Sequence, residues 1–159
     1  MPNHDVHIRA GAVAGGSYAL YMGYGQPVWH VVAETAGGIV GGIAGGIVPD
    51  RIGTPSSPWH RAEAHSVALT GFAGRVVSQQ LPSWQAALRS QADHYAAMRA
   101  QSSFPLQQFF LWLAECACRF LAGTIVGVLA GYASHLVLDA LTPMSLPLIC
   151  RSNFGLMLH

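Results

Sequence analysis

The sequence contains no lysine, and charged residues of either sign are scarce. Charged side chains make up 9% of the 159 residues, whereas an ordinary soluble domain carries about 25%. Apolar residues make up 52%. A chain with so few charges cannot cover its own surface with them, so the composition favours a membrane or a large buried interface. The net charge of +1 gives no electrostatic reason to expect a nucleic-acid partner.

Cysteine is also rare, and a secretory signal is not recognisable. Cys116, Cys118 and Cys150 form no CxxC pair. Cys116 and Cys118 point to different sides of one predicted helix, so we expect small buried hydrophobic residues rather than a disulfide or a thiolate site. The first residues lack a basic segment followed by a small-residue cleavage site. Membrane insertion would therefore use the helices of the chain itself.

Apolar runs of helical length predict an all-α chain that forms a single helical membrane domain over residues 1–159. Helices are expected at residues 7–24, 28–48, from about 59–63 to 80, 84–101 and 106–141, the last with a bend or a junction of two helices near 119–123. The runs 28–48 and 106–141 are long enough to cross a bilayer. We expect Pro49 and the segment 81–83 to end the helices that precede them.

The segment 84–101 differs from the other predicted helices because it is amphipathic. Trp84, Leu88, Tyr95 and Met98 recur at helical spacing, and charged side chains lie elsewhere on the same helix. We expect this helix to lie at a membrane surface or against a partner.

Glycine recurs every four positions in three of the predicted helices. The three ladders are Gly15, Gly11 and His7; Gly38, Gly42, Gly46 and Asp50; and Gly123, Gly127, Gly131, His135 and Asp139. Residues four apart are neighbours on a helix face, and glycine there lets two backbones approach closely, as in membrane helix pairs. The sequence therefore predicts a multi-helix integral membrane bundle with glycine-ladder packing. Imidazole and carboxylate groups are expected at the ends of its helices.

Six residues are candidate metal ligands. His135 and Asp139 stand at i and i+4, the spacing by which one helix supplies two ligands to one ion. The others are His7, Asp50, His60 and His65. These nitrogen and oxygen donors suit zinc, and manganese and iron are alternatives. Each candidate also has a structural alternative. His7 would be a surface or capping histidine and Asp50 a turn residue. His60 and His65 would be interfacial histidines, and His135 and Asp139 a hydrogen-bonded pair in the core.

Other charged residues allow more than one role. Glu63 lies between the two loop histidines and is a candidate general base. Glu34 lies on the face of the second ladder, where it is a spare ligand, a base or, as we favour, a paired structural carboxylate. Glu115 and Arg119 stand at i and i+4 in the favourable order, which predicts an internal salt bridge.

Four pieces of the sequence recur together in one known family. They are His7 before a small-residue helix, a Gly-rich helix ending in Pro49 and Asp50, the His-Arg-x-x-x-His-Ser segment over 60–66, and the Ser-His-x-x-x-Asp-x-x-Thr-Pro segment over 134–143. The chain resembles the YdjM-like bacterial inner-membrane proteins, described as membrane-bound metal-dependent hydrolases. That family is distantly similar to the helical zinc-dependent phospholipase C and P1 nuclease group. The resemblance implies an all-α metal site that acts on phosphoesters, with membrane lipid as a candidate substrate.

The leading hypothesis is a multi-pass inner-membrane hydrolase in which a metal ion, preferably zinc, activates water. Arg61 or Arg51 would steady a phosphate oxygen, and contact with lipid headgroups is the alternative role for either arginine. The family has an apolar residue and a second aspartate where Arg51 and Ile52 follow Asp50.

One alternative is a non-enzymatic homo-oligomer, pore or partner-binding protein with a structural metal or polar site. A metal-ion carrier is the third hypothesis.

Overall fold

In the computed structural model, residues 4–51, 67–141, 146–147 and 155–156 are described. They form helices α1 (His4–Met22), α2 (Val28–Arg51), α3 (Val67–Gln101) and α4 (Pro105–Ala140), followed by strands β1 (Leu146–Pro147) and β2 (Gly155–Leu156). The two short strands are antiparallel, with Leu146 opposite Leu156. The described part of the chain is therefore helical apart from this ladder, as the all-α prediction requires. The predicted helix start at 59–63 lies outside the described residues.

Proline does not end α2, contrary to the prediction. The helix continues through Pro49 to Arg51, so Asp50 lies in the last helical turn instead of in a loop. The pyrrolidine ring removes one N–H donor from the helix. Because the ring is fully buried, its packing offsets that loss. α4 is likewise one helix over its whole length, and the predicted junction of two helices near 119–123 does not occur.

The predicted break at residues 81–83 is also wrong. α3 passes through Pro82 without ending. Ser83 Oγ donates a hydrogen bond to the Gln80 carbonyl at 2.7 Å, so it does not cap a new helix. Leu81 is buried in a cluster with residues of α1 and α4. This tertiary packing holds the helix together at a position where local propensity predicts an end.

α1 runs antiparallel to α2, and the two backbones come very close at glycines. A Cβ added to Gly15 would overlap the carbonyl oxygen of Gly38, and a Cβ added to Gly11 would overlap that of Gly42. Residue numbers therefore fall along α2 as they rise along α1. The first residues of α1 consequently lie beside the last turns of α2.

α4 runs parallel to α2 with a constant offset. Gly123, Gly127 and Gly131 lie against the backbone of Glu34, Gly38 and Gly42, respectively. Each pair is separated by 89 residues, the separation that also relates His135 to Gly46. A second row, Gly37, Gly41 and Gly45, approaches the same helix at the carbonyls of Phe120, Thr124 and Val128. The sequence signal for this row is the second glycine of each pair in α2, which also repeats every four residues.

Burial in this chain is the reverse of what soluble domains show. The largest fully buried side chains include Arg119, His135, Glu34 and Glu115. Large apolar side chains are exposed on the outer faces of α1, α2 and α4. In soluble domains, by contrast, charged residues are almost never fully buried unless they are paired. α2 and α4 also have the length and the apolar composition of membrane-spanning helices.

Candidate metal centre

His7, His135 and Asp139 converge where α1, α2 and α4 meet. His7 comes from the first turn of α1, and the other two come from the last two turns of α4, one turn apart. Their exposed fractions are 2%, 0% and 4%. Each offers one ligand atom, and the three atoms lie within 4.8 Å of one another. The two imidazole rings stack with their centroids 4.0 Å apart.

The distances between these donor atoms fit a shared metal ion. His7 Nε2 lies 3.5 Å from Asp139 Oδ1, and His135 Nε2 lies 3.4 Å from Asp139 Oδ2. Zinc with ligands at about 2.0–2.1 Å in tetrahedral geometry separates those ligands by about 3.3 Å. A charge-assisted N–H···O bond spans only about 2.7–2.9 Å. The spacing is therefore wider than a direct hydrogen bond and compatible with ligands of one ion.

The ring of His135 is held in one orientation by the backbone of α2. Its Nδ1 lies 2.7 Å from the Gly46 carbonyl oxygen. A carbonyl only accepts, so Nδ1 carries the hydrogen and Nε2 of the neutral ring presents a lone pair. That lone pair faces oxygens of Asp139 and Asp50, which also accept. A metal ion shared by Nε2 and the carboxylates would satisfy these groups, as would a proton held between the ring and a carboxylate.

Asp50 stands at the edge of this cluster. Its Oδ1 lies 3.6 Å from His135 Nε2, and its side chain is 26% exposed. The parallel offset of α2 and α4 explains the proximity, because it sets Gly46 beside His135 and leaves Asp50 one turn further along. The helical continuation through Pro49 therefore places this predicted ligand next to the buried group.

Four of the six predicted metal ligands thus lie together: His7, Asp50, His135 and Asp139. His60, His65, the predicted catalytic residues Arg61 and Glu63, and Ile52 lie outside the described residues. Arg51 is exposed at the end of α2.

Glu34 belongs to a second polar cluster, about three turns along α2 from Gly46. Arg89 of α3 donates to both of its carboxylate oxygens, from Nε at 2.9 Å and from Nη2 at 2.6 Å, and Nη2 also donates to the Met22 carbonyl. Arg119 Nη1 lies 3.6 Å from Glu34 Oε1, and the same guanidinium pairs with Asp93. Glu34 is therefore the paired structural carboxylate that the sequence analysis favoured, and it takes no part in the metal group.

Glu115 and Arg119 do not form the internal bridge that their spacing predicts. Glu115 Oε2 lies 3.1 Å from Arg99 Nη2, and Oε1 lies 3.5 Å from His30 Nε2. Arg119 instead turns to Glu34. Helix α3 supplies oppositely charged partners to both, so contacts between helices replace the local pair. His30, which has no motif support in the sequence, enters the cluster through Glu115.

Two arginines of residues 84–101 consequently point into the protein. Arg89 and Arg99 meet carboxylates of α2 and α4, while Trp84 and Met98 remain 48% and 39% exposed. The amphipathic pattern alone predicts that residues 84–101 pack through their apolar face. Leu88 and Tyr95 of the apolar pattern are half-buried, and the buried carboxylates on the neighbouring helices draw the two arginines inward beside them, because a buried charge must be paired.

No protein-family model, no curated protein and no solved structure matches this chain. The fold and the site nevertheless define a class. In the part of the chain that the structure describes, the protein is helical, has two helices long and apolar enough to cross a membrane, and holds a buried group of two histidines and one aspartate that could bind a metal ion.

Proposed function

We propose that this chain is a multi-pass protein of the bacterial inner membrane and a metal-dependent hydrolase of phosphoesters. The metal ion is held by His7, His135 and Asp139, with Asp50 as a further ligand. The observation that carries the proposal is the convergence of these donors, from two helices distant in sequence, at separations that fit ligands of one ion. Nitrogen and oxygen donors suit zinc, with manganese and iron as alternatives.

The membrane location is supported by the lengths of the helices and by their surfaces. A helix of 24 residues such as α2 extends about 36 Å, which exceeds the hydrocarbon thickness of about 30 Å. Large apolar side chains cover the outer faces, and charged side chains fill the interior. Glycines at the crossing points of α1, α2 and α4 suit helices that associate by close backbone packing in lipid.

Hydrolysis is supported by the chemistry of the donors and by the partial exposure of Asp50. Catalytic zinc sites are built from ligands that include histidine and carboxylate side chains, and they keep one position for water. A bound zinc ion would supply a Lewis acid that polarises a phosphoryl oxygen and lowers the pKa of water to about 7. The hydrogen bond to Gly46 preorganises His135 for this role. Asp50, whose side chain is 26% exposed, is the least buried of the four donors, so substrate would approach beside it.

The direction of α3 supports a role at the metal centre for the predicted site residues that precede this helix. The pairs Asp93–Arg119 and Arg99–Glu115 set α3 antiparallel to α4. The start of α3 at Val67 is thus directed toward the end of α4 that carries the metal group. His60, Arg61, Glu63 and His65 immediately precede this start in the sequence. We propose the two histidines as additional ligands, Glu63 as a base and Arg61 as a phosphate contact.

Elemental analysis of protein purified without chelator tests the metal site. Bound zinc, manganese or iron is expected in the parent protein, with most of it lost in His135→Ala and in Asp139→Asn. His4→Ala is the matched control, because His4 is an exposed histidine of the same helix as His7. Hydrolysis of an activated phosphodiester and of phospholipid vesicles should disappear with the metal. A parent protein free of metal would refute the proposal.

A structural metal site is the second candidate, and the burial of the three closest donors favours it. None of them is more than 4% exposed, as in closed structural zinc sites. In that case Asp139→Asn would lower the thermal stability, and the fully metal-loaded parent protein would hydrolyse no phosphoester. Turnover by the loaded parent protein that is lost in Asp139→Asn, with its helical content intact, would exclude this candidate.

A further inference from the structure

The two ends of the helix bundle carry different numbers of arginines. α1 runs antiparallel to α2, α2 runs parallel to α4, and α3 runs antiparallel to α4. The segments that join α1 to α2 and α3 to α4 therefore lie at one end of the bundle, which we call the turn end. The metal centre lies at the opposite end, the metal end, where α1 and α3 begin and α2 and α4 end.

Five of the eight arginines belong to the metal end. Arg9 in the second turn of α1 and Arg51 in the last turn of α2 are exposed. Arg75, in the first three turns of α3, is exposed as well. Arg61 lies between the end of α2 and the start of α3 in the sequence, and Arg151 follows the end of α4. Both of these segments are therefore attached to the metal end.

The turn end has no arginine in its connecting segments. Residues 23–27 and 102–104 contain no charged side chain. The three remaining arginines lie within α3 and α4, and each forms an ion pair with a carboxylate of a neighbouring helix. Tyr24 and Phe104 are 92% and 70% exposed at this end. The turn end thus exposes aromatic rings, whereas the metal end exposes arginines.

An unequal distribution of arginine sets the orientation of a membrane protein. Short segments that carry lysine and arginine stay on the cytoplasmic side, and aspartate and glutamate have little influence, so Asp5 at the metal end does not cancel the effect. The anionic cytoplasmic leaflet adds an attraction of about 1 kcal/mol for each basic residue near its surface. In the sequence the arginines are spread over several segments, and the directions of the four helices bring five of them to one end.

We propose that the metal end faces the cytoplasm and the turn end faces the periplasm, so that the metal centre receives its phosphoester from the cytoplasmic side. α2 and α4 then cross the membrane in the same direction, and the chain returns between them through α3. This inference rests on the proposed function and on its membrane location.

The exposed arginines also lie close in sequence to two proposed ligands. Arg9 follows His7 by two positions in α1, and Arg51 directly follows Asp50. A basic surface attracts anions and raises their local concentration. A phosphoester on the cytoplasmic side would therefore be drawn toward the partly exposed Asp50. A headgroup of the inner leaflet and a soluble phosphoester share this chemistry.

Labelling of single cysteines with a membrane-impermeant maleimide tests the orientation. Cys116, Cys118 and Cys150 are first replaced by alanine. One cysteine is then introduced as Gln26→Cys at the turn end or as His4→Cys at the metal end, two exposed polar positions. In intact spheroplasts, labelling of Gln26→Cys should exceed that of His4→Cys severalfold, and in inverted membrane vesicles the order should reverse.

Alkaline extraction of the same membranes separates this inference from the membrane location. In protein that resists extraction, the opposite order of labelling, or equal labelling from both sides, would overturn the orientation and leave the metal-dependent hydrolase standing. Protein that alkaline treatment removes would refute the membrane location, and the orientation with it.

Activity measured from each side locates the substrate, with Asp139→Asn as the background. Inverted vesicles should hydrolyse an impermeant activated phosphodiester severalfold faster than spheroplasts do. Release of phospholipid headgroups on the cytoplasmic side without turnover of the soluble compound would support the same orientation and assign the substrate to the lipid. Turnover in spheroplasts alone would overturn the inference and support the hydrolase. Absence of turnover in both preparations would refute the hydrolase, and the labelling would then decide the orientation.

Discussion

His135 donates a hydrogen bond to the carbonyl of Gly46, a residue 89 positions earlier in the chain. The same offset relates the glycines of α4 to those of α2. One helix crossing therefore sets both the packing of the bundle and the orientation of a candidate metal ligand. Changes at the glycines should consequently alter metal binding as well as stability.

The first prediction concerns Gly42, which lies between α1 and α4. In Gly42→Ala the new Cβ would overlap the backbone of Gly11, and neither backbone can move without opening the crossing. The free energy of unfolding should fall by about 1–3 kcal/mol or more, and bound metal should decrease. Gly71→Ala is the control, because nothing lies within 4 Å of its Cβ position. That change should be neutral or stabilise α3 by up to about 1 kcal/mol. Thermal unfolding in detergent measures both, and equal effects of the two would contradict the packing described above.

The second prediction ranks the two carboxylates at the metal centre. Asp139 is buried and contacts both histidines, whereas Asp50 is partly exposed and lies close to one. Asp139→Asn should abolish zinc binding, and Asp50→Asn should weaken it by about 10–100-fold, the range typical of supporting residues. Calorimetric titration of metal-free protein with zinc measures both affinities. A larger loss from Asp50→Asn than from Asp139→Asn would reverse the proposed roles.

The third prediction concerns removal of the metal. A ligand present at 100 times its dissociation constant stabilises the folded state by about 2.7 kcal/mol. Chelation should therefore lower the melting temperature of the parent protein, and zinc should restore it. Asp139→Asn should melt at the same temperature with and without chelator. If chelation shifts the variant as much as the parent, the metal binds elsewhere.

The fourth prediction concerns the arginine–carboxylate cluster. Glu34→Ala would leave the buried Arg119 without one of its partners, and loss of one member of a buried pair costs about 3–5 kcal/mol. Asp93→Ala, at a side chain that is mostly exposed, should cost less. Metal content should be unchanged in either variant that folds, since the two clusters share no residue. Urea unfolding with parallel metal analysis measures both effects, and metal loss from folded Glu34→Ala would show that the clusters are coupled.

Much of the candidate site could be predicted because it is encoded locally. His135 and Asp139 are four residues apart on one helix, and that spacing is sufficient to place them on one face. The helical class follows from long apolar runs interrupted by few polar residues. His7 and Asp50 were predicted from their places at the ends of glycine ladders. Their meeting depends on how α1 and α2 pack.

Other features could not be predicted, because contacts between helices overrode local preferences. Pro49 and Pro82 predict helix ends, yet each lies in a continuous helix, in which Pro49 itself and Leu81, the neighbour of Pro82, are buried. Glu115 and Arg119 have ideal spacing for a pair, yet arginine and aspartate on α3 supply other partners. Nothing in the spacing of His30 marks it as a neighbour of Glu115.

By itself, the sequence determined which residues share a helix face, how long the apolar helices are and which side chains can bind a metal ion. Those properties depend on the geometry of a single helix and on composition. Only the tertiary structure decided which faces meet: it joined α1 to α4 through the glycines of α2, and it turned Arg89 and Arg99 of α3 toward buried carboxylates. The physical reason is that backbone approach and the pairing of buried charges depend on groups that lie far apart along the chain.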